Sequence, residues 1–266
     1  MKTKSLYRNY IYILVMFFSI HWVYSADPVT FLGKDNVELV GTWYPNKSLA
    51  TKKTMVLLHG VASQKEEWND FCNFLSRSGW NVLIYDQRGH GKSIHKKTGE
   101  SIQYNSFYAR GINSEWGNMV LDLHSAVQFI SKSYKISQNS IVLGGASIGA
   151  NIALRYASDH PEIPLAILLS PGLDYQGLTT HDAISKYGKR PLFIAVSPQD
   201  GYSYQSVMNL QSASQPLTGK GPLFTVYVES KNQGHGVQMF KRSSNAQASP
   251  LEQHIVEWLK SQQKFK

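Results

Sequence analysis

Short apolar runs recur along this chain, separated by stretches whose apolar residues return at helical spacing. Val29 to Tyr44 alternates apolar and polar residues around Lys34-Asp35-Asn36, which predicts a hairpin. Thr54 to Leu58 and Asn81 to Tyr85 read as buried strands, with an amphipathic helix from Glu66 to Ser78 between them. A polar, irregular stretch from Ile94 to Ser114 leads into a long helix whose apolar face is Trp116, Met119, Val120, Leu123, Val127 and Ile130. Ser140 to Leu143 predicts a strand running into a helix that begins near Ile148. Further strands follow at Leu165 to Leu169, Pro191 to Val196 and Pro222 to Val228, with a helix around Tyr204 to Gln211. The last helix opens on Ser249-Pro250-Leu251-Glu252, which combines an N-cap serine, proline at the first helical position and a capping-box glutamate. Its buried stripe is Leu251, Ile255, Trp258 and Leu259.

Apolar strands alternating with helices mean βαβ units and a parallel sheet covered on both faces. In such sheets the working groups collect at the carboxyl ends of the strands. No linker divides the chain, so residues 26–266 are expected to form one domain. Residues 1–25 read as a secretory signal: Met1 to Tyr10 carries only positive charge, Ile11 to Ile20 is apolar, and Val23-Tyr24-Ser25 places cleavage before Ala26. The expected destination is the periplasm or the medium, with an uncleaved membrane anchor as the alternative. The apolar run is short for a bilayer span and is followed by His21.

Composition changes this picture little. With 266 residues, 42% hydrophobic and 17% charged, the chain can bury a full core. The formal charge of +9 falls by three, to +6, if Lys2, Lys4 and Arg8 leave with the signal. The remaining basic residues are scattered, which argues against nucleic acid binding. The single cysteine, Cys72, falls in phase with Trp68, Phe71 and Leu75 and is expected to be a core thiol. No grouping of histidine, cysteine and carboxylate has metal-ligand spacing, so no metal is expected.

The chemistry centres on Gly145-x-Ser147-x-Gly149 at the strand-to-helix junction. A serine on so sharp a turn is held in strained backbone with its hydroxyl exposed, and the helix N-terminus behind it offers amides to an oxyanion. A serine hydroxyl needs a base to take its proton, and an imidazole oriented by a carboxylate serves. Downstream, Asp200 and His235 each follow a strand, in the order expected for a GxSxG elbow. Asp174 is the rival acid. Among the other histidines, His59 and His90 lie in glycine-flanked turns that suit structural hydrogen bonds. His59-Gly60-Val61, at an earlier strand end, would supply the Val61 N–H as the second oxyanion donor beside that of Ile148.

These residues resemble the α/β-hydrolase family across residues 29–263. The resemblance rests on His59-Gly60, Asp86-x-Arg88-Gly89-His90-Gly91-x-Ser93, the GxSxG elbow, Asp200 and Gly234-His235-Gly236. It implies a twisted, mostly parallel sheet of about eight strands with helices on both faces, and ester hydrolysis through an acyl-enzyme without a cofactor. Ser147 would be the nucleophile, His235 the base and then acid, and Asp200 its orienter; the Asp86-to-Ser93 motif looks like the family's structural turn. The Ser170-to-Arg190 gap is too short for a sizeable lid domain, which suggests an open, shallow site for a small ester or acyl substrate, partly covered by the stretch from Ile94 to Ser114. A serine peptidase or thioesterase on the same residues is an alternative, as is a non-catalytic binding protein that kept the fold.

Overall fold

A computed structural model describes residues 26–46, 52–214, 223–231 and 233–262, so the expected signal lies outside the described residues. In chain order the elements are β1 (Asp27–Leu32), β2 (Glu38–Tyr44), β3 (Thr54–Leu58), α1 (Asn69–Arg77), β4 (Asn81–Tyr85), α2 (Glu115–Tyr134), β5 (Ile141–Ala146) and α3 (Ile148–Asp159). There follow β6 (Ala166–Leu169), β7 (Asp174–Tyr175), β8 (Leu178–Thr179), α4 (His181–Tyr187), β9 (Pro191–Val196), α5 (Gly201–Ser214), β10 (Leu223–Val228) and α6 (Pro250–Gln262).

Eight strands form one sheet in the order β1-β2-β4-β3-β5-β6-β9-β10. The β1–β2 and β2–β4 pairs are antiparallel, and every other pair is parallel. Alternate residues of each central strand feed two cores. Val56, Leu58, Leu83 and Leu143 pack toward α2 and α3, while Met55, Leu57, Val82 and Ile84 pack toward α1 and α6. Such strands are apolar on both faces because water reaches neither. Trp68, Phe71, Cys72 and Leu75 are buried together in the second core, where burial pushes the Cys72 thiol pKa well up.

The strand reading holds closely at β3, β4 and β9. The helix expected from Glu66 to Ser78 is divided: a 3-10 turn, Lys65–Trp68, precedes α1. At α6 the capping box forms in full, with the Glu252 N–H donating to Ser249 Oγ at 3.2 Å and the Ser249 N–H donating to Glu252 Oε2 at 2.6 Å. Between β6 and β9 there is no lid domain, but the gap is not bare. It holds the β7–β8 hairpin and α4, which the hydrophobic pattern did not reveal.

The register brings the business end together. Leu58 of β3 pairs with Gly145 of β5, so the chain leaves β3 at His59 beside Ala146, the last residue of β5.

Candidate active site

Ser147 occupies the one-residue gap between β5 and α3 with φ 56° and ψ −125°, a conformation costing roughly 1–3 kcal/mol outside glycine. The flanking glycines are sterically required. A Cβ on Gly145 would lie 2.2 Å from the Gly149 carbonyl oxygen, and one on Gly149 would lie 2.5 Å from that of Leu58. The Ser147 N–H is tied to the Leu169 carbonyl at 2.9 Å. The serine is 5% exposed, more covered than the open site expected from the short insertion.

His235 and Asp200 meet. The His235 Nδ1–H donates to Asp200 Oδ2 at 2.6 Å, leaving Nε2 as the free nitrogen of the neutral ring. Burial opposes ionisation of Asp200, but hydrogen bonds from His235, Ser170 and Ser203 outweigh it and hold its pKa below the ordinary carboxylate value. The loop carrying His235 lies against the serine turn: a Cβ on Gly236 would stand 3.0 Å from that of Ala146. Its position is fixed by the Gly236 N–H, which donates to Ser170 Oγ at 2.9 Å. The rival acid lies elsewhere. Asp174 is exposed, accepts the Gly177 N–H at 2.6 Å and pairs with Arg110 at 3.2 Å.

The end of β3 borders the same site. A Cβ on Gly60 would come within 3.3 Å of the Ser147 Cβ. The next residue, Val61, is 41% exposed. Among the described residues neither the Val61 nor the Ile148 amide donates a hydrogen bond, as two oxyanion donors require. The turn that carries Val61 is braced at several points. His59 Nδ1–H donates to the Gly60 carbonyl at 2.7 Å, and His59 Nε2 accepts the Gln87 N–H at 2.9 Å. Glu67 accepts the Gly60 N–H at 3.2 Å and the Ser63 hydroxyl. Burial raises the Glu67 pKa, partly offset by these bonds and by the nearby His235.

The Asp86-to-Ser93 segment is structural. Asp86 receives the Lys65 N–H at 2.9 Å and Nζ at 3.0 Å, and the Lys92 N–H at 2.9 Å. Arg88, fully buried, grips both oxygens of Asp122 at 2.6 and 2.7 Å. His90 Nδ1–H donates to the Arg88 carbonyl at 2.9 Å, and its ring stacks on Tyr104.

Three site residues escaped the sequence reading. Ser170, buried at φ 50°, accepts the Gly236 N–H of the histidine loop and helps hold the Asp200 pKa down. Ser203, in the first turn of α5, bonds the Tyr175 hydroxyl at 2.9 Å and the Ser170 carbonyl at 3.3 Å, and helps hold the Asp200 pKa down. Tyr175 itself projects from β7 beside His235, the two rings edge to face with centroids 6.3 Å apart. Ser170 was the legible one, because it directly follows a strand end as His59 does.

A cavity of about 430 Å³ opens beside the Val61 turn, lined by Ala62, Ser63, Gln64, His90, Gln103 and Tyr104 among others. No carboxylate, lysine or arginine lines it. Among the described residues no three histidine, cysteine or acidic side chains are grouped to hold a metal, and no helix is long and apolar enough to cross a membrane.

Residues 50–199 match the family model described as serine aminopeptidase, S33. A Haemophilus influenzae protein described as "probable lysophospholipase L2" is 25% identical over 150 residues, 56% of this chain and 44% of that protein. The Bacillus subtilis protein YqkD is 32% identical over 110 residues, 41% of this chain and 31% of its own length. The aligned part thus spans less than half of either relative. Among solved structures, an esterase of Pyrococcus furiosus superposes with a TM-score of 0.67 at 22% identity, over 90% of both chains. A dienelactone hydrolase of Anabaena variabilis gives 0.64 at 14% identity, over 89% of this chain and 97% of the other.

Proposed function

The chain belongs to the serine aminopeptidase S33 family of α/β-hydrolases, and from that premise we propose that it is a serine hydrolase that cleaves small esters through Ser147, His235 and Asp200. The observation that carries this reading is the His235–Asp200 hydrogen bond of 2.6 Å on a loop packed against the strained Ser147 turn. His235 Nε2 takes the Ser147 proton as Oγ attacks the ester carbonyl. Asp200, held ionised, keeps the Nδ1–H in place and stabilises the imidazolium. The Val61 and Ile148 N–H groups receive the negative oxygen. Collapse breaks the carbon–oxygen bond to the alcohol, which leaves with the proton from His235. Water, deprotonated by the same nitrogen, then releases the acid.

Ester rather than amide substrates are favoured by the esterases that share this fold at nearly full length. The short insertion between β6 and β9 suits small acyl groups, and the neutral cavity beside Val61 suits an uncharged part of the substrate. The test is hydrolysis of a chain-length series of p-nitrophenyl esters, with amide and thioester analogues alongside and covalent labelling by a fluorophosphonate. Ser147→Ala should lower turnover by roughly a million-fold and abolish labelling. Equal, trivial rates in both proteins with no labelling would make the chain a binding protein. Selective turnover of amides would make it a peptidase.

The proposal includes export. The basic start and the apolar run from Ile11 to Ile20 support a signal cleaved before Ala26. Intact mass of the protein recovered from the native host, outside the cytoplasm, would show the loss of residues 1–25. A full-length protein held in the membrane fraction would favour the uncleaved anchor.

A further inference from the structure

The β7–β8 hairpin is more rigidly held than its length suggests. Its turn residues Gln176 and Gly177 have φ 56° and 79°, the paired positive values of a tight hairpin. Asn151, one turn into α3 from the nucleophile and fully buried, donates to the Gly172 and Leu178 carbonyls at 3.0 and 2.7 Å and accepts the Gly172 N–H at 3.1 Å. Tyr202 exchanges two bonds with the Asp174 backbone, and the Gly111 N–H reaches the Gln176 carbonyl at 2.8 Å. All this fixes one phenol. The Tyr175 oxygen is 2.9 Å from Ser203 Oγ and 3.5 Å from the carbonyl of Ser170, the residue after the one that anchors the Ser147 amide. Burial raises its pKa, and the nearby Ser147 hydroxyl partly offsets that rise.

We propose that the Tyr175 hydroxyl is a further catalytic donor, which hydrogen-bonds the leaving-group oxygen while the tetrahedral intermediate collapses; this rests on the reading of Ser147 as nucleophile. The argument is one of sides. The Val61 and Ile148 amides take the oxyanion, with Val61 on the β3 side of the serine. The leaving oxygen points to the imidazole that must protonate it. Tyr175 stands on that imidazole side, its ring edge to face with that of His235. In the intermediate the leaving oxygen lies beside that imidazole, so the phenol serves it by turning its proton from Ser203 toward the reacting carbon. As the carbon–oxygen bond breaks, its electron pair goes to the leaving oxygen and the proton comes from His235. Tyr175 keeps its own proton and lowers the charge that develops before transfer is complete. Ser203, whose own hydroxyl donates to the Ser170 carbonyl at 3.3 Å, accepts the phenol proton at rest and positions the donor.

Such help matters for an alkoxide and little for p-nitrophenolate, which leaves as a stable anion. The experiment is kcat/KM, which reports acylation, for acetate esters with leaving groups from p-nitrophenol to ethanol. Tyr175→Phe is expected to lose roughly 10- to 100-fold on the ethyl ester, within the range of one transition-state donor, while the p-nitrophenyl ester stays within about threefold. Ser203→Ala should tilt the series in the same direction by less. Fluorophosphonate labelling of Tyr175→Phe at the wild-type rate shows that the fold and the nucleophile persist. Equal loss across the series, or none, overturns the proposal while leaving the serine hydrolase standing. Wild-type turnover that survives Ser147→Ala overturns both.

Discussion

His59 is a single residue on which both the fold and the oxyanion turn depend. It uses its neutral form, with one nitrogen donating to Gly60 and the other accepting from Gln87. Burial, aided by the neighbouring His90, pushes its pKa from 6.5 down to about 3. The unfolded chain therefore binds a proton that the folded chain refuses over that interval. Stability is complete above pH 6.5 and falls as the pH drops towards 3, by roughly 1.4 kcal/mol per unit from this group alone. Urea unfolding at a series of pH values should show that slope. His59→Asn should be less stable at pH 7 but lose less on acidification; an unchanged slope would assign the acid sensitivity to other groups. The residues proposed to carry the chemistry could be picked out because each sits where a pattern ends: Ser147 between glycines, Asp200 and His235 after apolar runs. Tyr175 and Ser203 were not, because neither hydrophobic period nor glycine marks a side chain whose importance lies wholly in its neighbours.

Among elements, α6 shows how far local chemistry reaches. Ser249, Pro250 and Glu252 specify its start without reference to the rest of the chain, and both capping bonds form. Ser249→Ala should cost about 1 kcal/mol of stability, read as a lower urea midpoint at unchanged slope. The central strands were equally plain, since burial on both faces leaves an apolar run. The β7–β8 hairpin was hidden because its strands are two residues each, too short for any alternation. Its stability comes from Asn151 and Tyr202, residues on other elements. The start of α1 was placed too early because Glu66 to Trp68 belong to a 3-10 turn, whose first residue, Lys65, serves Asp86 with both its backbone and its ammonium group.

At the scale of the molecule, Arg88 joins regions distant in sequence. From the end of β4 it grips Asp122 of α2 and also reaches Glu115 and the Lys34 carbonyl in the β1–β2 turn. Arg88→Met should cost about 3–5 kcal/mol in denaturant unfolding, because it leaves a buried carboxylate without its partner. The sheet order has a different consequence. Ser147 and Asp200 hang from β5 and β9, inside the sheet, but His235 follows β10, an edge strand whose residues from Phe224 to Tyr227 are only half-buried. Edges open before centres do. On gentle heating the proposed base should be lost first, so that hydrolysis fades and returns on cooling while the circular dichroism signal stays flat: this protein would stop working before it stops being folded.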